Sequence, residues 1–248
     1  MTDVNKPWYK KWFNDDYLKL YQQRDNKDAK KQIELVLKTL KPDKNNKILD
    51  LGCGEGRHLS YFNKLGFKTF GLDLSKELIY SGMKKYGRQN FILGDIRNIP
   101  GKYDIILSFF SSFGYFESDE ENFSVFDSIF KSLTYKGKFW FDFLNPEYVK
   151  NNLIAKNQKE LSPDKTAIEE RKIENKRVIK KISFISKDKT ETYYESVRLF
   201  KKEELEAALN QSGFVINNVF GNYSGEQWTN NSERTIFNCQ KSRLCRKT

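Results

Sequence analysis

The chain has 248 residues, of which 38% are hydrophobic, 15% aromatic and 31% charged, and carries a formal net charge of +11; its mean hydropathy is −0.74. That composition supports one large core, with or without an insertion, and no apolar run nears the ~20 residues of a membrane span. The opening "MTDVNKPWYKKWF" has no signal-peptide-like apolar stretch, and Cys53, Cys239 and Cys245 lack CxxC spacing, which argues against a disulfide framework or zinc site and for a reducing cytoplasm.

In chain order, "WYKKWFNDDYLKLYQQRD" is aromatic-rich and shows no strand alternation. A helix is predicted from Asp28, with Ala29, Ile33, Val36, Leu37 and Leu40 on one face and Pro42 ending it. A strand over 47–51 leads into a glycine turn, then a helix carrying Leu59, Phe62 and Leu65 that stops at Gly66. A second strand, 67–72, ends at Asp73, and Ser75 caps a helix carrying Leu78, Ile79 and Met83. "NFILGD" is a third strand, with Asp95 at its end, and "YDIILSFF" (103–110) a fourth.

Ser118 and Glu121 form a capping box for a helix with Phe123, Phe126, Phe130 and Leu133 inward, closed by "YKG". "KFWFDFL" is the fifth strand. This β-α-β-α-β rhythm predicts a doubly wound, mostly parallel sheet. The rhythm breaks over 148–176, which is polar. "RVIKKISFIS" and "TETYYESVRLF" then read as an antiparallel hairpin turning at "KDK". A helix over 201–212, stopped by Gly213, and the strands "FVINNVF" and "RTIFNCQ" complete a seven-stranded α/β sheet. The expected division is a core of 1–147 and 199–248 interrupted by an antiparallel β insertion at 148–198.

"ILDLGCGEGRHL", residues 48–59, asks which ligand its glycines hold. The dinucleotide fingerprint GxGxxG does not fit, because Arg57 stands at its third glycine and the run is GxGxG. No GxxxxGK[ST] phosphate loop occurs. Ligands of open parallel sheets sit beyond the carboxyl ends of the strands, where Asp50, Asp73 and Asp95 all fall. Gly52 and Gly54 let backbone lie close to a ligand. Asp73 follows Asp50 by about the 20 residues that place an acid on a ribose diol. Asp95 is placed to accept from an exocyclic adenine amine, and Asp50 puts negative charge beside a cation. A sulfonium cation with adenosine and methionine arms, S-adenosylmethionine, meets every position.

These residues resemble the class I S-adenosylmethionine-dependent methyltransferases: "ILDLGCGEG", "GLDLS", "LGDI" and "YDIILSFF", with the likeness spanning 47–143 and 199–240. The resemblance implies a Rossmann-like methyltransferase fold and a cofactor that leaves as S-adenosylhomocysteine. "WFNDDYLKLYQQRD", "SSFGYF" and "DFLNP" are similar to a small-molecule subgroup, including sugar-amine N-methyltransferases, with an antiparallel sheet after the fifth strand. The expected cofactor site is Asp50, Gly52, Cys53, Gly54, Asp73, Leu74, Asp95, Ile96 and Phe109, with Cys53 an inert spacer. By resemblance, Tyr17, Tyr21 and Arg24 close over the cofactor, Arg24 pairing a carboxylate.

Displacement from sulfur needs no metal. Tyr115, the residue of "SFFSSFGYF" with a polar tip, is the catalytic candidate. Phe109 and Phe110 read equally well as core. His58, the one histidine, falls in the first turn after the glycines, away from the acceptor side. Tyr194 and Arg198 share a strand face by period two and are expected to line the acceptor pocket.

The positive charge invites nucleic acid, yet the lysines are dispersed and no arginine–aromatic block stands out. The [DNS]PP[YFW] motif of adenine N6 enzymes is absent after the fourth strand, Asn145–Pro146 comes after the fifth, and no Pro-Cys pair exists. The expected function is methyl transfer to N or O of a small-molecule acceptor by a cytoplasmic monomer or homodimer with no membrane partner. An RNA methyltransferase (2′-O or base N) and a non-catalytic cofactor-binding protein are the alternatives.

Overall fold

A computed structural model describes residues 7–21, 26–87, 90–110 and 112–242. Three helices open it: α1 (Trp8–Trp12), α2 (Asp15–Leu20) and α3 (Asn26–Leu40). Then follow β1 (Lys47–Leu51), α4 (Arg57–Lys64), β2 (Lys68–Asp73), α5 (Lys76–Tyr86), β3 (Phe91–Leu93), β4 (Tyr103–Ser108), α6 (Asp119–Ser132) and β5 (Leu133–Leu144). After α7 (Pro146–Asn151) come β6 (Lys156–Ser162), β7 (Lys165–Glu174), β8 (Arg177–Ile185) and β9 (Thr190–Arg198). The chain closes with α8 (Lys202–Gln211), β10 (Phe214–Phe220) and β11 (Arg234–Lys241).

The main sheet has seven strands in the order β10-β11-β5-β4-β1-β2-β3. β1 runs parallel to both β2 and β4, while β11 is antiparallel to β5 and β10. The central strands are apolar on both faces: Ile48, Leu49, Leu51, Ile105, Ile106 and Leu107 are all buried. A strand of that kind needs helices on both sides of its sheet. The strand order reverses between β1 and β4, so a crevice opens at their carboxyl ends. Among the described residues no helix is long and apolar enough to cross a membrane.

Local chemistry sets the helix starts. Ser75 Oγ accepts from Leu78 N, and Ser118 Oγ from Glu121 N. The Ser118 box is only half made, because the Glu121 carboxylate turns to the Arg97 guanidinium. "YKG" does not close a helix: α6 ends at Ser132 and β5 runs from Leu133, with Lys136 in a left-handed conformation (φ 60°) and a register shift in its pairing with β4.

The antiparallel insertion is a four-stranded sheet, β6-β7-β8-β9, in which the expected hairpin is β8–β9 and the strands β6 and β7 are additional. Strands β6 and β7 are polar on both faces, so no alternation announces them. Their inward face carries Ala167 but also Glu169, which meets Lys180 of β8. This sheet shares a small core with the N-terminal helices, in which Trp12 and Leu20 pack with Ala167, Ile182 and Phe184. Lys165 Nζ lies 2.8 Å from Asp16 Oδ1, and Tyr193 donates to Asp16 Oδ2 (3.2 Å). Helices α1 and α2 are thus tied to the inserted sheet as a cover.

Candidate functional site

Beyond the carboxyl ends of β1, β2 and β4 lies a cavity of about 420 Å3, walled by the core, the N-terminal cover and strands β7, β8 and β9. That volume is in the range of small-molecule sites. Asp50, Gly52, Cys53, Gly54, Asp73, Leu74, Asp95, Ile96, Phe109, Tyr17 and Tyr115 all border it. Arg24 lies outside the described residues.

Asp50, next to last in β1, is buried, and its Oδ2 has no hydrogen-bond partner. His58 Nδ1 stands 3.9 Å from it, beyond hydrogen-bond reach. Burial, reinforced by the like charge of Asp73 and opposed by Arg57, pushes the Asp50 carboxyl up to about 8. His58 is itself buried. Its Nε2 meets Gln32 Oε1 at 2.5 Å, its ring stacks on Phe109 (4.1 Å), and burial drives its pKa well down, so the imidazole is neutral.

Asp73 fastens the glycine turn to β2: Oδ2 accepts from Gly54 N (2.7 Å) and Oδ1 from Ser75 N (2.8 Å). Burial raises its pKa against those backbone donors. Gly52 and Gly54 have φ of +65° and +55°, which a Cβ would strain. The close approach at Gly52 is made by protein, since a Cβ there would sit 2.3 Å from Ser112 Oγ. Cys53 is buried, and burial pushes its thiol far up.

Asp95 is held by Arg97. Oδ1 accepts from Arg97 N (2.9 Å) and Nε (3.0 Å), and Oδ2 from Nη2 (2.5 Å). Burial alone would raise its pKa; the Arg97 hydrogen bonds and charge outweigh it and lower it. The Tyr115 ring packs on Trp8, Tyr9 and Phe13 of the cover, at 4.8, 6.3 and 6.1 Å between centroids. Tyr17 packs on Trp12, Phe13 and Tyr21.

The pairing of Tyr194 with Arg198 as cavity residues is corrected. Period two is obeyed, but the opposite parity of β9 faces the cavity, with Glu195 and Val197 lining it. Tyr194 is 51% exposed. Arg198 is buried where β9 enters the core, bound to Asp119 (3.1 and 3.0 Å) and Glu204 (2.8 Å), and so clamps the first turns of α6 and α8. Both carboxylates keep solvent access, so Arg198→Ala is expected to cost about 1–3 kcal/mol. Tyr194→Ala should stay within about 0.5 kcal/mol. Denaturant melts of the two variants measure the difference.

Two groups were missed by sequence reasoning. The first surrounds Asp142 of β5, fully buried. It accepts from Arg234 Nε (2.8 Å), Tyr223 OH (2.6 Å) and Phe110 N (3.2 Å). That last bond fixes Phe110 in a left-handed conformation (φ 58°), with its ring 43% exposed at the cavity. The available signal was a carboxylate inside the apolar run "FWFDFL". The second group lies on the inserted sheet. Lys180 Nζ stands 2.7 Å from Glu169 and 3.6 Å from Glu195, Arg171 is 2.9 Å from Glu169, and Trp12 and Tyr21 of the cover donate to Glu195 Oε1.

Residues 48–137 match the family described as "Methyltransferase domain". Over 82% of this chain and 86% of its own length, "Putative methyltransferase YqeM" of Bacillus subtilis is 27% identical. A shorter stretch, 30% of this chain and 32% of the relative, is 36% identical to the dTDP-3-amino-3,4,6-trideoxy-alpha-D-glucopyranose N,N-dimethyltransferase of Streptomyces venezuelae. Among solved structures, an S-adenosylmethionine-dependent methyltransferase from Clostridium acetobutylicum superposes with a TM-score of 0.77 at 22% identity, covering 92% of this chain and 97% of the other.

Proposed function

We infer that this chain, which carries a methyltransferase domain on a Rossmann-like methyltransferase fold, moves a methyl group from S-adenosylmethionine to nitrogen or oxygen of a small-molecule acceptor. The observation that carries this reading is the buried Asp50 carboxylate, whose Oδ2 has no partner and which borders a cavity rimmed by Asp73 and Asp95. A buried carboxylate left with an open oxygen is costly unless a donor arrives, and a ligand ammonium is such a donor. The residues therefore fit the cofactor. Asp50 would take its ammonium, Asp73 the ribose hydroxyls and Asp95 the adenine amine, with Leu74 and Ile96 beside the base.

S-adenosylmethionine supplies a methyl group on a sulfonium sulfur. The chain supplies alignment and a dry site. Trp8, Phe13 and Tyr17 of the cover line the cavity with aromatic surface. Tyr115 is the proposed polar contact to the acceptor. The amino-sugar chemistry in the name of the Streptomyces relative supports a small-molecule acceptor.

The test supplies methyl-labelled S-adenosylmethionine to the protein with separated metabolite and RNA fractions of cell extract. Label is expected in a metabolite. Label confined to RNA would replace the acceptor class, and none in either would remove the activity. Asp73→Ala is expected to weaken cofactor binding by about 1.5–3 kcal/mol, roughly tenfold to a hundredfold, for loss of a charged acceptor. Titration calorimetry of the folded variant checks it, and unchanged affinity would remove Asp73 from the ribose.

A further inference from the structure

The carboxylates bordering the cavity differ in how far they are already engaged. Asp73 is tied to backbone amides and Asp95 to Arg97. Glu55 accepts from Ser81 (2.6 Å) and pairs with Lys85 (3.5 Å). Asp50 lies at the cofactor end. On the inserted sheet, Glu195 alone among the described carboxylates borders the cavity.

Glu195 is rigidly placed. Its Oε1 accepts from Trp12 Nε1 (2.6 Å) and Tyr21 OH (3.1 Å). Its Oε2 faces Lys180 Nζ at 3.6 Å, an ion pair too long for a hydrogen bond. Lys180 pairs with Glu169 at 2.7 Å and also donates to the Tyr21 hydroxyl. Oε2 thus keeps its capacity to accept, in a cavity wall that also carries Val178 and Val197, the rings of Tyr17, Tyr21 and Tyr115, and the cations Lys180 and Arg171, both paired with Glu169, at 2.7 and 2.9 Å.

We propose that the acceptor is an amine, and that Glu195 Oε2 receives an N–H of its reacting nitrogen. The inference rests on the methyl-transfer reading and deepens it. An amine arrives as an ammonium, which suits a carboxylate flanked by aromatic faces. Attack requires its lone pair: one N–H bond breaks, the proton passes to Glu195 Oε2, and the electron pair stays on nitrogen. A carboxylate serves for an ammonium and is far too weak a base for an alcohol. The chain has one histidine, His58. Its Nε2 is engaged by Gln32 Oε1, its ring stacks on Phe109 and its Nδ1 faces Asp50, which puts it at the cofactor end and not on the inserted sheet. Relative to the acceptor sites named above, this places the proton step on the inserted sheet.

The experiment identifies the labelled extract product by mass spectrometry and repeats the reaction with Glu195→Gln, whose amide oxygen still accepts from Trp12 and Tyr21. Expected are an N-methyl product, at least a tenfold loss of kcat/KM in E195Q, S-adenosylmethionine affinity within about twofold of the parent, and a loss that shrinks as pH rises and the amine deprotonates by itself. Trp12→Phe removes one donor to Oε1 and should lower the same parameter less, which keeps the test open if E195Q folds poorly. An O-, S- or C-methyl product, or E195Q with parental kcat/KM, overturns the proposal while leaving methyl transfer intact. No labelled product despite cofactor binding removes both readings.

Discussion

Asp50→Asn should yield a protein that melts higher than its parent at pH 8 and no longer binds S-adenosylmethionine measurably. Both effects follow from one buried carboxyl pushed up to about 8 by burial and by Asp73. Between the unfolded carboxylate range near 4 and pH 8, the native state holds a proton that the unfolded chain has released. Stability therefore falls as pH rises through that window, by up to about 1.4 kcal/mol per pH unit from this group. Asparagine removes the titration, so the variant gains most at the alkaline end. Cofactor binding has the opposite sign, because an ammonium needs the ionised carboxylate. For the parent, affinity should climb roughly tenfold per unit from pH 5.5 to 7, with up to one proton released on binding. Titration in buffers of different ionisation enthalpy counts that proton. Parental affinity in the variant, or binding without proton release, would mean that Asp50 does not hold the ligand's cation.

Asp142→Ala is expected to cost about 3–5 kcal/mol, the penalty for breaking a buried ion pair by removing one of its members. Arg234 lies 2.8 Å from Asp142, and only 7% of its side chain is exposed. The Phe110 amide and the Tyr223 hydroxyl lose their acceptor at the same time. For a chain of this size the melting temperature should drop by roughly 8–15 °C. Adding Arg234→Met removes the remaining buried charge and should recover more than half of the loss. A double variant no more stable than Asp142→Ala would show that the ion pair is not the source.

How much of this was legible beforehand depended on which face a residue took. The strand-turn-helix at 47–64 was plain, because Ile48, Leu49 and Leu51 form an unbroken apolar run and the glycines break it. The same pattern placed Asp50 and Asp73 at strand ends. It did not show that Asp73 ties Gly54 and Ser75 together, since amide partners leave no trace in side-chain spacing. Strands β6 and β7 were hidden because their inward face carries Glu169, satisfied across the sheet by Lys180 and Arg171. A stretch that showed only as polar holds charge paired inside a sheet. Tyr194 and Arg198 show the limit of period two. Alternation sorts residues into two sets, and only the packing of Trp12 against Glu195 and Tyr193 says which set faces in. Arg198 finds Asp119, 79 residues away, a pairing with no local signature.

The most direct test of the central claim is titration of the unmodified protein with S-adenosylmethionine, S-adenosylhomocysteine and NAD, followed by thermal melts of each mixture. The account predicts micromolar binding of the first two, a melting temperature that rises with their concentration, and no response to NAD, whose pyrophosphate would need the glycine that Arg57 replaces. Binding of NAD with no response to either sulfur compound would contradict it.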